Sequence, residues 1–421
     1  MISVNEIIGR ELKPRSLLDE VIRWLDRPEA IVIVGPRQVG KTSLMFLIAR
    51  HIIENRLGNV FFYDLEMVSD KALLADPESL LALPERSFVF IDEVQYHPEA
   101  ARLIKLTVDH ARGVKLIVSG SSSAKIFRET GDKLVGRRVE FRLYPLSFKE
   151  FLMFKDRADL VSLLESPSEP GFEPFQRLFL EFLVYGGMPA VVLEPQVDRK
   201  VKLLEELFSA YMFKDVVPLF GLRRPDKFTS LLKLLAARVG GLLNMSSISD
   251  DIDLSRPTVE SYIKILEMTF VIDTVPPFFR NPRKEVIKMR KGYFFDTGFR
   301  NWALRRFDMD WMREDIGHLV ENYVLMELRK AGVGDVRYWQ AKTGVEVDFI
   351  VNGLPIEVKF RRFNRPKVSR GMASFIRRYK PPKALVITKN LSGEMEFNGT
   401  QVFFVPAFRF SRSIQWVMHF A

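Results

Sequence analysis

Four short, unbroken apolar runs recur between residues 30 and 120: "AIVIV" (30–34), "NVFFYDL" (59–65), "SFVFID" (87–92) and "KLIVSG" (115–120). Amphipathic stretches with helical spacing separate them. Continuous apolar runs of this length belong to strands buried on both faces, and the alternation with helices predicts a parallel sheet covered on both sides. "YPLSFKEFLMF" (144–154) opens a mostly helical region that runs to about residue 240, interrupted by the Pro-, Ser- and Gly-rich loop "ESPSEPGFEP" (165–174). "DKFTSLLKLLAARVGG" then reads as an amphipathic helix stopped by glycines. A short helix, a turn, a helix opened by Ser255 with Pro257 in its first turn, and a strand follow. That order is the order of a winged helix-turn-helix. Beyond 281 the pattern returns to mixed α/β. A helix over "HLVENYVLMELRKAG" precedes strands near 336–340, 345–351 and 354–360, the last two joined by Asn352–Gly353; the helix "SRGMASFIRRY" and the strand "KALVIT" follow. The expected division is an α/β core over 1–145, a helical lid or linker over 146–225, a winged helix-turn-helix over 226–280 and a C-terminal α/β domain over 281–421.

At 421 residues the chain is too long for a single core. No apolar run approaches the roughly 20 residues that span a bilayer, and "MISVNEIIGRELKPR" lacks the basic-then-apolar order of a signal peptide. The absence of Cys excludes disulfides, thiolate metal sites and cysteine nucleophiles, so a cytoplasmic protein with no membrane partner is expected. Charge changes the picture further. Residues 281–421 carry 26 Lys and Arg against 14 Asp and Glu, whereas the first 280 hold 37 against 39. Within 361–389 there are ten basic residues and no acid. A solvated face ordinarily mixes signs, so the C-terminal third is expected to meet an anionic partner, nucleic acid above all.

Two places carry candidate chemistry. The first is "GPRQVGKT" (35–42), which stands directly between the strand "AIVIV" and the helix "SLMFLIARHI". Glycines there let consecutive N–H groups wrap phosphates at a helix N-terminus. Gly35, Pro36, Arg37, Gln38, Val39, Gly40, Lys41, Thr42 and Ser43 are the expected ATP-binding residues, with Lys41 on the β- and γ-phosphates and Thr42 on Mg²⁺. Asp92 and Glu93 end the strand "SFVFIDE": Asp92 is the second expected Mg²⁺ ligand, and Glu93 the group expected to activate the attacking water. Ser119 and Ser121, at the end of "LIVSGSSS", are equally placed to sense the γ-phosphate. Arg137 and Arg138 are candidates for an arginine finger supplied to a neighbouring copy in a homo-oligomer, or else surface or ion-paired arginines.

"GPRQVGKT", "FVFIDEVQ", "IVSGSSS" and "GRRVEFRLYPLSFKEFL", in that order, resemble a prokaryotic, archaeal-type AAA+ P-loop ATPase family whose C-terminal half is a domain of unknown function. "YGGMPAVV", "YMFKDVV", "SRPTVESYIKILEMTFVI", "FDTGFRN", "HLVENYVLMEL" and "EVDFIV…IEVKF" extend the resemblance over nearly the whole chain. It implies an ATPase core, a winged-helix segment and a restriction-nuclease-like end.

The second place is "GVEVDFIVNGLPIEVKF" (344–360), a hairpin carrying Glu346, Asp348, Glu357 and Lys359. PD-(D/E)XK nucleases set an Asp on one strand, Glu-x-Lys on the next, and an acid on an upstream helix; Asp348, Glu357, Lys359 and Glu321 resemble that set. The resemblance implies that Glu321, Asp348 and Glu357 ligate Mg²⁺ or Mn²⁺ and that Lys359 acts on the attacking water. The alternative is an ordinary ion-pair cluster in a nuclease-like fold without activity. The sequence thus points to a Mg²⁺-dependent ATPase coupled to a basic, nuclease-like domain that binds DNA and cleaves it if the second site is active. A nucleotide-gated switch that binds protein partners is the alternative.

Overall fold

The structure is a computed structural model that describes residues 2–120, 134–166, 171–222, 224–278 and 289–418. The chain divides into two compact units. The first comprises Met1–Tyr144, Ser209–Leu222 and Met268–Phe270; the second comprises Pro145–Phe208, Arg223–Glu267 and Val271–Ala421. Two short pieces of the regions expected as lid and winged helix therefore belong with the first unit.

In the first unit, Ala30–Val34 (β1), Lys41–Glu54 (α1), Asn59–Asp64 (β2), Ser87–Asp92 (β3), Ala100–His110 (α2), Val114–Gly120 (β4) and Arg138–Arg142 (β5) follow one another. The strands form one sheet in the order β2-β3-β4-β1-β5, parallel throughout. β1 to β4 are the four apolar runs of the sequence. β5 was not expected: its Arg138, Glu140 and Arg142 suit an edge strand, and that alternation conceals it from a search for apolar runs. The core lies between the sheet and α1, where Leu44, Met45 and Ile48 pack on Ile31 and Ile33. Phe46 stacks on Phe62 at 4.7 Å, and Phe62 on Phe90 at 5.5 Å. Each such ring, fully withdrawn from water, stabilises the fold by about 1.5–3 kcal/mol. The far edge, β2, is met by an antiparallel bridge from Ile2 to Phe62.

The second unit begins with Phe148–Phe154 (α3), whose start is a capping box between Ser147 and Glu150, and continues with Gln176–Tyr185 (α4). Pro225–Ala237 (α5), Met245–Ile252 (α6) and Arg256–Met268 (α7) precede Ile272–Val275 (β6) and Lys291–Phe294 (β7), which pair antiparallel. The boundary expected at 280 falls outside the described residues, and the strands on either side of it are partners. Thr297–Leu304 (α8) and Ile316–Lys330 (α9) lead into a six-stranded mixed sheet. Its strands are Val336–Gln340 (β8), Glu346–Val351 (β9), Leu354–Val358 (β10), Lys383–Thr388 (β11), Gly393–Phe397 (β12) and Thr400–Pro406 (β13), in the order β12-β13-β11-β10-β9-β8. Arg370–Tyr379 (α10) crosses between β10 and β11 and packs Met372, Phe375 and Ile376 on Val347, Ile350 and Val386. The β9–β10 turn has Asn352 and Gly353 both at positive φ (50° and 85°), as a two-residue hairpin requires. Among the described residues no helix is long and apolar enough to cross a membrane.

The motifs "YGGMP" and "FDTGFRN" meet in a tight joint. The buried Asp296 carboxylate accepts from the N–H of Gly187 at 2.7 Å and of Phe299 at 3.2 Å, capping α8. Asn301 donates to the carbonyls of Leu183 and Val184 at 3.1 and 2.8 Å, closing the last turn of α4. Arg300, buried as well, donates to the Ala236 carbonyl at 2.8 Å and pairs with Asp315. A Cβ on Gly186 would run into the Asp296 carboxylate, and Gly186 has a φ of +78°. Gly186→Ala is therefore expected to cost about 3 kcal/mol or more in urea unfolding, through both clash and backbone strain. Gly317→Ala, in α9 with open space around its Cα, should instead gain about 0.5–1 kcal/mol.

Candidate functional site

In the first unit the chain leaves β1 at Val34 and turns sharply at Gly35, where a Cβ would run into the main chain of Leu143. Gln38 and Gly40 take positive φ (59° and 98°), and Gly40 is the cap from which the 14-residue α1 starts. The N–H groups of its first turn have no partner within the helix and lie at its positive end. Lys41 Nζ is buried against the loop and donates to the carbonyls of Gly35 and Pro36 at 3.2 and 3.0 Å. A residue that sequence reasoning missed holds the loop from behind: the buried Arg15 donates to the carbonyl of Val39 at 2.9 Å and to that of Tyr144 at 2.7 Å. Nothing in the "LKPRSLL" around it marks it in advance.

β4 lies between β1 and β3, with Ile33 paired to Ser119. This brings the head of α1 and the end of β4 to one carboxylate at the end of β3. Thr42 Oγ1 donates to Asp92 Oδ2 at 2.5 Å, and the Ser119 hydroxyl donates to Asp92 Oδ1. Burial pushes the Asp92 carboxyl above its usual range, and the hydrogen bonds from Ser119 and Thr42 only partly offset this. Glu93 follows in a left-handed conformation (φ 53°); its N–H donates to Ser119 Oγ at 3.1 Å and its carboxylate accepts from the Gln95 amide. Arg37 and Tyr96 hydrogen-bond at 3.4 Å beside the loop. Ser121 lies outside the described residues. A nucleoside triphosphate with Mg²⁺ fits these residues: a helix N-terminus and a lysine for phosphate, and a hydroxyl with a buried carboxylate for a hard cation. Arg137 and Arg138 stand elsewhere. Arg138 pairs with Ala30 at the start of β1, about 16 Å along the strand from Gly35 at ~3.3 Å per residue. Arg137 Nε donates to Asp109 at 2.7 Å.

In the second unit Glu321, Asp348, Glu357 and Lys359 occupy one neighbourhood, but lysines stand among the acids. The buried Lys291 of β7, which the sequence reading did not single out, lies 3.4 Å from Glu321 Oε1 and 3.4 Å from Glu346 Oε2. Tyr293 donates to Glu321 Oε1 at 2.6 Å. Burial works against the charge on Glu321, yet Lys291, with His318 and Tyr293, more than offsets it and holds that carboxyl below its usual value. Asp348 takes the opposite course: burial first and the nearby Glu321 second push it up to about 8, although the Val358 N–H donates to it at 2.7 Å. Glu357 accepts from Ser369 Oγ at 2.6 and 2.5 Å on its two oxygens and pairs with Lys359 at 3.1 Å. Among the described residues no three His, Asp or Glu side chains gather in a way that could hold a metal ion. Ion pairs of Lys291 and Lys359 with Glu321, Glu346 and Glu357 run through this neighbourhood. Lys291 had one faint signal in the sequence, a lysine at the head of the apolar "YFF".

The cluster makes a measurable distinction. Lys291→Met strands buried acids and is expected to cost about 3–5 kcal/mol in chemical denaturation. Asp348→Asn keeps an acceptor for Val358 and is expected to cost less than about 1 kcal/mol. An increase in unfolding midpoint with Mn²⁺ in the wild type, lost in Asp348→Asn, would instead mark a metal site.

Comparison with known proteins gives a family description to part of the chain. Residues 27–152 match the family model of an AAA domain, and residues 176–310 and 316–408 match two domains of unknown function (DUF8612 and DUF4143). An uncharacterized protein of Haemophilus influenzae is 24% identical over 95% of this chain and 98% of its own length. One from Methanocaldococcus jannaschii is 25% identical over 76% and 72%, and one from Mycobacterium tuberculosis 25% over 84% and 74%. Among solved structures, AMPPCP-bound DnaA from Aquifex aeolicus aligns at a TM-score of 0.30 and 12% identity, covering 60% of this chain and 86% of that one. Cdc6p from Pyrobaculum aerophilum aligns at 0.29 and 12%, covering 69% and 93%. Overlaps this loose carry no argument. The match over 27–152, together with the five-stranded parallel sheet and the loop after β1, makes the first unit an α/β, P-loop AAA-type domain, a fold that binds and hydrolyses nucleotides.

Proposed function

We propose that the chain is a Mg²⁺-dependent ATPase whose second unit binds nucleic acid. The observation that carries the first half is the convergence of Thr42 and Ser119 on the buried Asp92 at the head of α1. Lys41 and the first-turn N–H groups would hold the phosphates, Thr42 and Asp92 would hold Mg²⁺, and Glu93 would take the proton of the attacking water. Bound Mg²⁺ supplies compensation for phosphate charge. Ser119 touches both Asp92 and the Glu93 N–H, so it fixes where Glu93 starts. The ion pair of Arg137 with Asp109 favours a surface role for that arginine over a finger.

For the second half, the support is the stretch 361–389, with ten basic residues and no acid, which α10 and its flanking segments carry. Binding is favoured over cleavage, because Lys291 and Lys359 pair with Glu321 and Glu357, two of the three acids that would ligate metal. A winged-helix role for α5–β7 in this binding has weaker support: the Arg256 of α7 is paired with Glu260 at 2.9 Å, which cancels its attraction for phosphate.

Lys41→Ala is expected to lose nucleotide binding, and Glu93→Gln to keep it while hydrolysing about 10²-fold more slowly or worse. Binding of a fluorescent ATP analogue and phosphate release measure the two effects, and wild-type turnover in Glu93→Gln would remove its assignment. For the second unit, reversing the charge of Arg361, Arg362, Arg377 and Arg378 should weaken nucleic-acid binding whatever the sequence and flatten its dependence on salt. Unchanged affinity at low salt would leave the stretch as a solubilising face.

A further inference from the structure

The basic stretch borders a cleft that none of the residues considered so far explains. It has a volume of about 290 Å³ and lies between the tip of the β9–β10 hairpin and the end of α10. Ligand clefts run from about 300 to 1,000 Å³, so this one suits something the size of a single nucleotide. Its walls are of two kinds. Phe278, Phe375 and Tyr379 are among its lining residues: Tyr379 lies 4.6 Å from Phe375 and meets Phe278 edge-on at 5.5 Å, with Phe278 and Tyr379 both partly exposed. Lys380 and Lys383 line it too, and no acid is among the described residues that line it. Arg377 and Arg378, exposed on the last turn of α10, continue the positive edge outward, and the Arg378 guanidinium lies 5.4 Å from the Tyr379 ring.

The conformation of α10 explains why the lysine and the tyrosine stay together. Lys380 ends the helix with a φ of 49° while its N–H still bonds to the Ile376 carbonyl, so the chain turns away immediately after Tyr379 and the two side chains border one opening. Pro381 and Pro382 then stiffen the way out. A purely solubilising run of charge requires no aromatic wall, and a purely structural aromatic cluster requires no rim of cations. The two together match a ligand with a flat ring and an anionic backbone.

We infer that this cleft takes an unstacked base of a single-stranded nucleic acid, the ring against Tyr379 and Phe278 and the neighbouring phosphates along Lys380, Lys383 and the last turn of α10. The inference rests on the reading that the second unit binds nucleic acid, and narrows it. In a duplex the base faces are stacked inside, so only the phosphate half of the site would be used. Stacking on protein aromatics is tolerant of sequence, so preference for a single strand rather than for a base is the expected signature.

The test is fluorescence anisotropy of the full chain with a labelled thymidine 20-mer and with a duplex of equal length. Wild type should bind the single strand more tightly. Tyr379→Leu should weaken that binding by about tenfold or more and leave duplex affinity nearly unchanged, while Tyr379→Phe should keep both. Lys380→Asn, which tolerates the left-handed backbone, should weaken both and lower the salt slope by about one. Because Tyr379 also packs on Trp339, a photocross-link from a 5-iodouracil-substituted 20-mer on the wild-type protein gives an answer even if Tyr379→Leu does not fold; the adduct is expected on Tyr379 or Phe278. Equal affinity for both forms, with Tyr379→Leu unchanged or the adduct elsewhere, overturns the cleft assignment and leaves nucleic-acid binding standing. Thymidine monophosphate competing as well as the 20-mer overturns it in favour of a mononucleotide site. Absence of binding to either form overturns both.

Discussion

A carboxylate withdrawn from water has to be compensated, and the identity of the compensating group separates the two halves of this molecule. In the first unit Asp92 is met by the neutral hydroxyls of Thr42 and Ser119. They orient the group without cancelling its charge, so a cation brought there gains. In the second unit the buried Glu321 and Glu357 are met by the ammonium groups of Lys291 and Lys359. Two clusters of acids that look alike as letters therefore have opposite electrostatic character.

The same constraint explains motifs that serve neither site. Asp296, Arg300 and Asn301 are fully buried, and each is spent on main-chain groups or on Asp315. Burial pushes the Asp296 carboxyl up, and the N–H groups of Gly187 and Phe299 work against that. Satisfying such groups demands close approach of backbones, and Gly186 and Gly187 provide it. The glycines of "YGGMP" and the polar residues of "FDTGFRN" are thus accounted for by geometry at this joint.

Much of this was legible in the chain itself. Buried parallel strands reveal themselves as unbroken apolar runs, and β1, β3 and β4 are such runs; the loop at 35–42 is read from glycines, lysine and threonine at fixed spacing in the right context. What escaped did so for physical reasons. β5 is an edge strand with charges on alternate positions, and β12 exposes Glu394 and Glu396, so neither looks apolar. The turn between β12 and β13 did carry a signal, Asn398–Gly399, both at positive φ. Arg15 and Lys291 act through tertiary neighbours far along the sequence, at Tyr144 and Glu321, and local pattern holds no record of such pairings. The cluster at 344–360 shows the limit most clearly: acids, hairpin and Glu-x-Lys were all present, and the lysine that changes their meaning came from another strand.

The margins of the two larger sheets bear on how copies of this chain can meet. β2 is bridged by Ile2, and β8 by Pro277 against Tyr338. β5 presents Arg138, Glu140 and Arg142, and β12 presents Glu394 and Glu396. Each outermost strand is thus either occupied or charged, and the row of free main-chain groups that would let one sheet continue into another is guarded. Growth by strand addition, the route to fibres and to sheet-sharing dimers, is disfavoured from all four margins. Contacts through side-chain surfaces, by contrast, can form and dissolve without remaking either of these sheets.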